Sequence, residues 1–138
     1  MPEYHSEGAA AFDLYSRVAI EIKPWQPTLI PLNLVVKIPP GHFLMVSARS
    51  STARKFGLIV ANGIGVIDED YCGDADELQL SVLNFTKRKV KIKRGERLAQ
   101  ALLIEIPKIK AFKEVASMSA RNRGGFGSTG HTAKTRRT

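Results

Sequence analysis

The chain has 138 residues and a mass of 15.2 kDa, which bounds it to one domain able to bury most of its apolar surface without disulfides. With 43% hydrophobic and 25% charged residues it has ordinary globular usage, which excludes wholesale disorder, collagen and low-complexity classes. The net charge of +8 is unevenly spread: residues 86–97 hold seven basic side chains against Glu96, residues 107–138 hold eight against Glu114, and between them six of the thirteen carboxylates crowd into residues 68–77.

From Met1 to Glu7 there is neither a basic start nor an apolar stretch, so no secretory signal is expected, and no apolar run reaches the length of a membrane helix. Strand-like periodicity covers 12–22, 28–38, 42–48, 58–67, 78–85, 88–93 and 98–106. The 88–93 segment alternates strictly, with Val90 and Ile92 on one face and cations on the other, and predicts an edge or half-buried strand. Turn residues separate the runs at Lys23-Pro24, Pro39-Pro40-Gly41, Asn62-Gly63 and Arg94-Gly95. Many short strands at such intervals predict an all-β sandwich or barrel. The exception is 50–57, which reads as one short helix with a hydroxyl cap and a terminating glycine. Cys72 is the only cysteine, so neither an internal disulfide nor a cysteine metal cluster is available, and a reducing, cytoplasmic setting fits. Beyond residue 116 there is almost nothing to bury, which predicts a β domain over 1–116 and a flexible Gly/Arg-rich arm over 117–138.

Three segments carry chemistry. Gly65 to Tyr71 reads as a hairpin whose apolar arm presents Asp68, Glu69 and Asp70 at its tip, either to hold a cation or deprotonate a water, or simply as a solvated acidic loop. Arg49-Ser50-Ser51 opens the short helix as an anion site or as plain capping. In the arm, Gly124 to Gly130 formally satisfies a dinucleotide-binding glycine pattern, but no strand-to-helix context surrounds it. What survives is either a polar tail or a phosphate clamp of glycines, Ser128, Thr129, Arg121 and Arg123, with Phe126 free to stack on a base. His5, His42 and His131 have no metal-ligand spacing and read as surface residues.

In this order the pieces resemble the trimeric dUTPase family over nearly the whole chain. The motifs are Ala10-Ala11-Phe12-Asp13-Leu14-Tyr15-Ser16, Arg49-Ser50-Ser51, Gly65-Val66-Ile67-Asp68-Glu69-Asp70-Tyr71-Cys72-Gly73 running on to Asn84, Gly95-Glu96-Arg97-Leu98-Ala99-Gln100, and Arg121 with Gly124 to Gly130. The resemblance implies a jelly-roll-like β-barrel homotrimer whose sites are each built from three chains. It implies Mg²⁺-dependent hydrolysis of dUTP to dUMP and pyrophosphate, with Asp68 activating the water that attacks the α-phosphorus. Tyr71 would lie under the deoxyribose, and backbone groups of the hairpin arm, at Asn62, Gly65 and Ile67, would pair with uracil. Arg49, Ser50, Ser51 and Gln100 fall on the phosphates; Arg121, Gly127, Ser128 and Thr129 cap the phosphate end, and Phe126 stacks over uracil. Asp13 would reach Mg²⁺ through water. The ten residues 74–83 exceed the familiar spacing, so the strand after the hairpin is expected to bulge.

Two rivals remain. A dCTP deaminase-like enzyme shares the fold and would need a glutamate such as Glu69 or Glu77. A catalytically silent regulatory or nucleic-acid-binding relative is suggested by the net charge and the basic strand. Because the carboxylate cluster suits a cation-bound phosphate ligand better than a polyanion, no stable nucleic-acid partner and no membrane partner is expected.

Overall fold

The computed structural model describes residues 1–125, and the chain divides into two compact units, Met1–Lys108 and Ile109–Thr138. The first unit contains, in order, β1 (Phe12–Tyr15), β2 (Ile20–Ile22), β3 (Thr28–Pro31), β4 (His42–Ala48), α1 (Thr52–Phe56), β5 (Leu58–Val60), β6 (Gly65–Ile67), β7 (Gln79–Asn84), β8 (Val90–Ile92) and β9 (Arg97–Glu105). The fold is all-β and jelly-roll-like, with one short helix. The strands pair antiparallel in three sheets, ordered β1-β9-β4-β6, β2-β8 and β3-β7-β5.

All three sheets turn one face to a common core. Leu14, Leu44 and Leu98 come from the first sheet, Ile22 and Ile92 from the second, and Ile30, Leu58 and Leu80 from the third, each essentially removed from water. Burying each such side chain is worth roughly 1.5–3 kcal/mol, which is why the alternation in the sequence predicts the strands so well. The helix ends as expected: Gly57 adopts φ 66° and donates its N–H to the Ala53 carbonyl. Its start differs from expectation. Ser51 occupies the cap position without a side-chain capping bond, and the anchor is Thr52, whose buried hydroxyl donates to the Leu98 carbonyl at 2.7 Å.

Two apolar runs are divided where the sequence reads them as continuous, and a third turns where the sequence places a turn. The 12–22 run breaks at Ser16, whose hydroxyl donates to the Val18 carbonyl and whose backbone exchanges bonds with Gly95 and Glu96, so β1 and β2 enter different sheets. The 28–38 run leaves its ladder at Pro31, and Asn33 then takes φ 57°. The 58–67 run turns at Gly63, φ 78°, and hands the chain from the β7 side to the β4 side. The expected bulge is absent: β7 keeps an unbroken register with both β3 and β5. The extra residues are spent instead in the preceding loop, where the Asp76 carboxylate accepts the Gly73 N–H at 2.7 Å and the Glu77 carboxylate accepts both the Arg17 guanidinium and the Asn33 N–H.

In the second unit, residues 109–125 contain neither strand nor helix, and Ile109, Phe112, Val115 and Met118 are exposed. Among the described residues no helix is long and apolar enough to cross a membrane.

Candidate active site

Strand register brings the first group of predicted residues together. Asp13 on β1 lies opposite Gln100 on β9, and Gln100 lies opposite Ser47 on β4, so these three side chains form a row across one end of the sheet. Arg49 follows directly. Asp13 is a buried carboxylate within an otherwise apolar strand, and it survives there because cations surround it. Its Oδ1 accepts the Arg49 Nε at 2.8 Å; its Oδ2 lies 3.2 Å from the Arg97 Nη1 and 3.1 Å from the His5 Nε2. Gln100 is held loosely, its Nε2 at 3.4 Å from the Ala48 carbonyl and 3.5 Å from the Ser47 hydroxyl. The Ser51 hydroxyl makes no capping bond and is not committed to the helix start, and Ser50 beside it is exposed. Arginine, two hydroxyls and an amide thus share one edge, a set suited to phosphate oxygens.

The second group lies around β6. This strand is an edge, paired only with β4, so alternate backbone groups on its far side are free to meet a ligand as another strand would. Gly65 sits against Val46 so closely that a Cβ there would come within 3.1 Å of the Val46 Cβ, which keeps β6 tight on the sheet. After Ile67 the chain turns: the Tyr71 N–H donates to the Asp68 carbonyl at 3.2 Å, and the Tyr71 hydroxyl reaches the Glu77 carbonyl at 3.3 Å. Asp68 borders a cleft of about 240 Å³ shared with His42, Phe43, Glu69, Asp70, Ile106 and Lys108. A larger hollow of about 390 Å³, lined by Tyr15, Arg17, Asn33 and Arg94 among others, contains Asp13 but none of the other predicted site residues.

The acids at this tip are not equivalent. Glu69 accepts the Lys108 ammonium at 2.9 Å and the Gly41 N–H at 2.7 Å, and these bonds, Lys108 foremost, hold its carboxyl below the usual range. Lys108 is raised in turn, chiefly by Glu69 and further by Asp70 and Asp68. Glu77 is likewise lowered, first by its bond to Arg17. Both glutamates are therefore ionised clamps, whereas Asp68 is exposed to incoming ligand.

The two groups do not meet within one chain. Ile67 is level with Leu44, and Arg49 follows Ala48, so Asp68 and Arg49 are separated by six residue steps along β4, roughly 20 Å at ~3.3 Å per residue. Among the described residues no three metal-ligating side chains converge. Arg121 is exposed in the second unit; Phe126, Gly127, Ser128 and Thr129 lie outside the described residues. Sequence reasoning did not find the Asp13 partners His5 and Arg97, nor the clamp residue Lys108. The signal available was a lone carboxylate in an apolar strand, which demands cations from somewhere.

A family model for dUTPase matches residues 1–130. The deoxyuridine 5'-triphosphate nucleotidohydrolase of Thermoanaerobacter sp. (strain X514) is 39% identical over 133 residues, covering 94% of this chain and 88% of that protein. Among solved structures, the dUTPase of Streptococcus mutans superposes with a TM-score of 0.77 at 29% identity, over 80% of this chain and 89% of its own. The Staphylococcus bacteriophage 80alpha dUTPase, solved with dUpNHpp, gives 0.77 at 26% identity, over 95% and 92%. With the motifs in order and the family match running through every described residue, the chain belongs to the dUTPase family.

Proposed function

We propose that this protein hydrolyses dUTP to dUMP and pyrophosphate at sites shared between the subunits of a homotrimer. The observation that carries the reading is the separation of Asp68 from Arg49, Ser51 and Gln100 within a chain whose family acts on a nucleoside triphosphate. Adjacent phosphates of one nucleotide are only a few ångströms apart, so the two groups serve one substrate only when different copies supply them. The exposed Ile109, Phe112, Val115 and Met118 support the same arrangement, since a segment with no core of its own gains by docking on a neighbour. On this reading residues 1–116 form the hydrolase domain, whose barrel ends by Lys108, and residues 117–138 form the arm that closes a neighbouring site with Arg121, Phe126, Gly127, Ser128 and Thr129.

Asp68 takes the proton from the water that attacks the α-phosphorus, and pyrophosphate leaves. Little covalent chemistry is needed, because positioning and charge neutralisation supply most of the acceleration in phosphoryl transfer. Tyr71 lies against the deoxyribose, and the free edge of β6, from Asn62 through Gly65 to Ile67, offers backbone groups to uracil. The relative solved with dUpNHpp supports a deoxyuridine triphosphate ligand. Mg²⁺ fits as a cofactor carried mainly by the triphosphate: both Asp13 oxygens face cations, leaving this single carboxylate to a water-mediated role. When bound, the ion neutralises phosphate charge. We assign the reaction to the cytoplasm, where charged nucleoside triphosphates are made and retained.

The deaminase alternative loses its candidates, since Glu69 and Glu77 are both engaged in ion pairs. Pyrophosphate release measured over dUTP, dCTP, dTTP and UTP with Mg²⁺ tests the proposal. Turnover of dUTP well above the other three is expected; conversion of dCTP to a deaminated product with dUTP inert would overturn it.

A further inference from the structure

A second surface, remote from the acidic tip, combines exposed aromatics with a dense field of cations. Its centre is Asn84, which is fully buried at the end of β7. The Asn84 amide donates to the Ile22 carbonyl at 3.0 Å and the Arg88 carbonyl at 2.8 Å, while its oxygen accepts from the Thr86 N–H and hydroxyl. One side chain thereby fixes the end of β2, the 85–88 loop and the start of β8 in one arrangement.

Two aromatic residues flank this hub. The Trp25 backbone N–H donates to the Asn84 carbonyl at 2.8 Å, yet the residue is 65% exposed and sits at φ 56°. A bulky residue held in the left-handed region with its ring in water is poorly explained by packing. Phe85, the residue after Asn84, is 40% exposed and donates its N–H to the Gly57 carbonyl, which brings the exposed Arg54 and Lys55 of α1 to the same neighbourhood.

Around the aromatics the charge is predominantly positive. Residues 86–95 contain no carboxylate, and Lys87, Arg88 and Lys89 are exposed in the loop before β8, with Lys91 exposed on β8 itself, which pairs only with β2. Glu21 answers Lys89 at 2.8 Å, but Lys91 and Lys23 also bear on that one carboxylate, leaving cations in excess. The acidic loop that argues from sequence against a polyanion partner precedes β7, whereas this surface follows it. The six residues of β7 separate the two by roughly 17 Å at ~3.4 Å per residue, beyond one Debye length at physiological salt.

We propose that the face carrying Trp25, Phe85, Lys87, Arg88, Lys89 and Lys91 binds single-stranded nucleic acid, the aromatics stacking on bases and the cations following the phosphates. Exposed rings need unstacked bases, which a duplex does not offer, and a dense basic surface suits a chain of regularly spaced anions. This reverses the sequence-based expectation of no nucleic-acid partner.

Trp25 is the sole tryptophan, so its emission reports directly on the contact. Titration of the full-length protein with oligo-dT is expected to quench Trp25 fluorescence, with log affinity falling about 0.7 per neutralised phosphate for each tenfold rise in salt. By anisotropy of a labelled oligo-dT, Trp25→Ala should weaken binding roughly 5- to 150-fold and Trp25→Phe should retain most of it. Lys87→Glu with Lys91→Glu should reduce the salt slope while leaving the dUTP turnover rate unchanged. An oligo-rU arm that binds equally well supports a general single-strand surface. Unquenched Trp25 emission, undiminished binding by Trp25→Ala, or equal competition by inorganic polyphosphate would overturn the proposal.

Discussion

Mixing two inactive variants tests the shared site more sharply than either variant alone. Asp68→Asn removes the proposed base at the β6 tip and is expected to lower dUTP turnover about 10²–10⁴-fold, while Arg49→Ala removes the proposed phosphate cation at the other end of β4 and should cost about 10²–10³-fold. Asp13 keeps Arg97 and His5 in the latter variant, so the fold has no orphaned buried charge. On the proposed shared site, the roughly 20 Å between Asp68 and Arg49 means that each site draws them from different subunits. In trimers assembled at random from equal amounts, a site is intact when one contributor brings Asp68 and the next brings Arg49, half the cases times half, or about one quarter. Pyrophosphate release by co-refolded variants should therefore climb from about 1% or less to about 25% of the wild-type rate, at least a 25-fold gain. Mixed trimers, verified by light scattering, with no gain over the separate variants would show the two groups acting within one chain and refute the register argument.

Asp68→Asn alone should keep nucleotide affinity, because Asn still accepts a hydrogen bond but cannot take the proton; isothermal titration with a non-hydrolysable dUTP analogue and near wild-type turnover are the confirming and refuting readings. Asn84→Ala leaves four hydrogen bonds unmade at a fully buried position and should cost about 3–4 kcal/mol in urea unfolding, a loss under about 1 kcal/mol contradicting the hub. Glu77 is lowered chiefly by Arg17, so it binds more protons unfolded than folded; its contribution is complete above the ordinary glutamate value of about 4.3 and is lost as pH falls through the depressed folded value. Urea midpoints followed from pH 6 to pH 3 should fall less steeply in Glu77→Gln than in wild type, and parallel curves would contradict the clamp.

What the sequence displayed was whatever has a local cause. The β8 alternation, the Gly57 stop and the strand cores at Leu14, Leu44 and Leu80 each follow from side-chain period or backbone freedom. Breaks without glycine or proline were hidden: Ser16 turns the chain with its own hydroxyl and with partners eighty residues away, so β1 and β2 read as one run. The site was legible as motifs but not as geometry. Nothing near Asp13 foretells that Arg49, Arg97 and His5 converge on it, because strand pairing across β1, β9 and β4 assembles them. The same holds for Trp25, which in the sequence only follows the Lys23-Pro24 turn; its backbone bond to Asn84 sets it beside the basic segment.

The most direct test of the central claim is the fate of the attacking oxygen when dUTP is hydrolysed in water enriched in the heavy oxygen isotope. On the proposed mechanism water activated by Asp68 attacks the α-phosphorus, so mass spectrometry should find the heavy atom in dUMP and none in pyrophosphate. Label in the pyrophosphate, or release of inorganic phosphate from the γ position, would contradict the account.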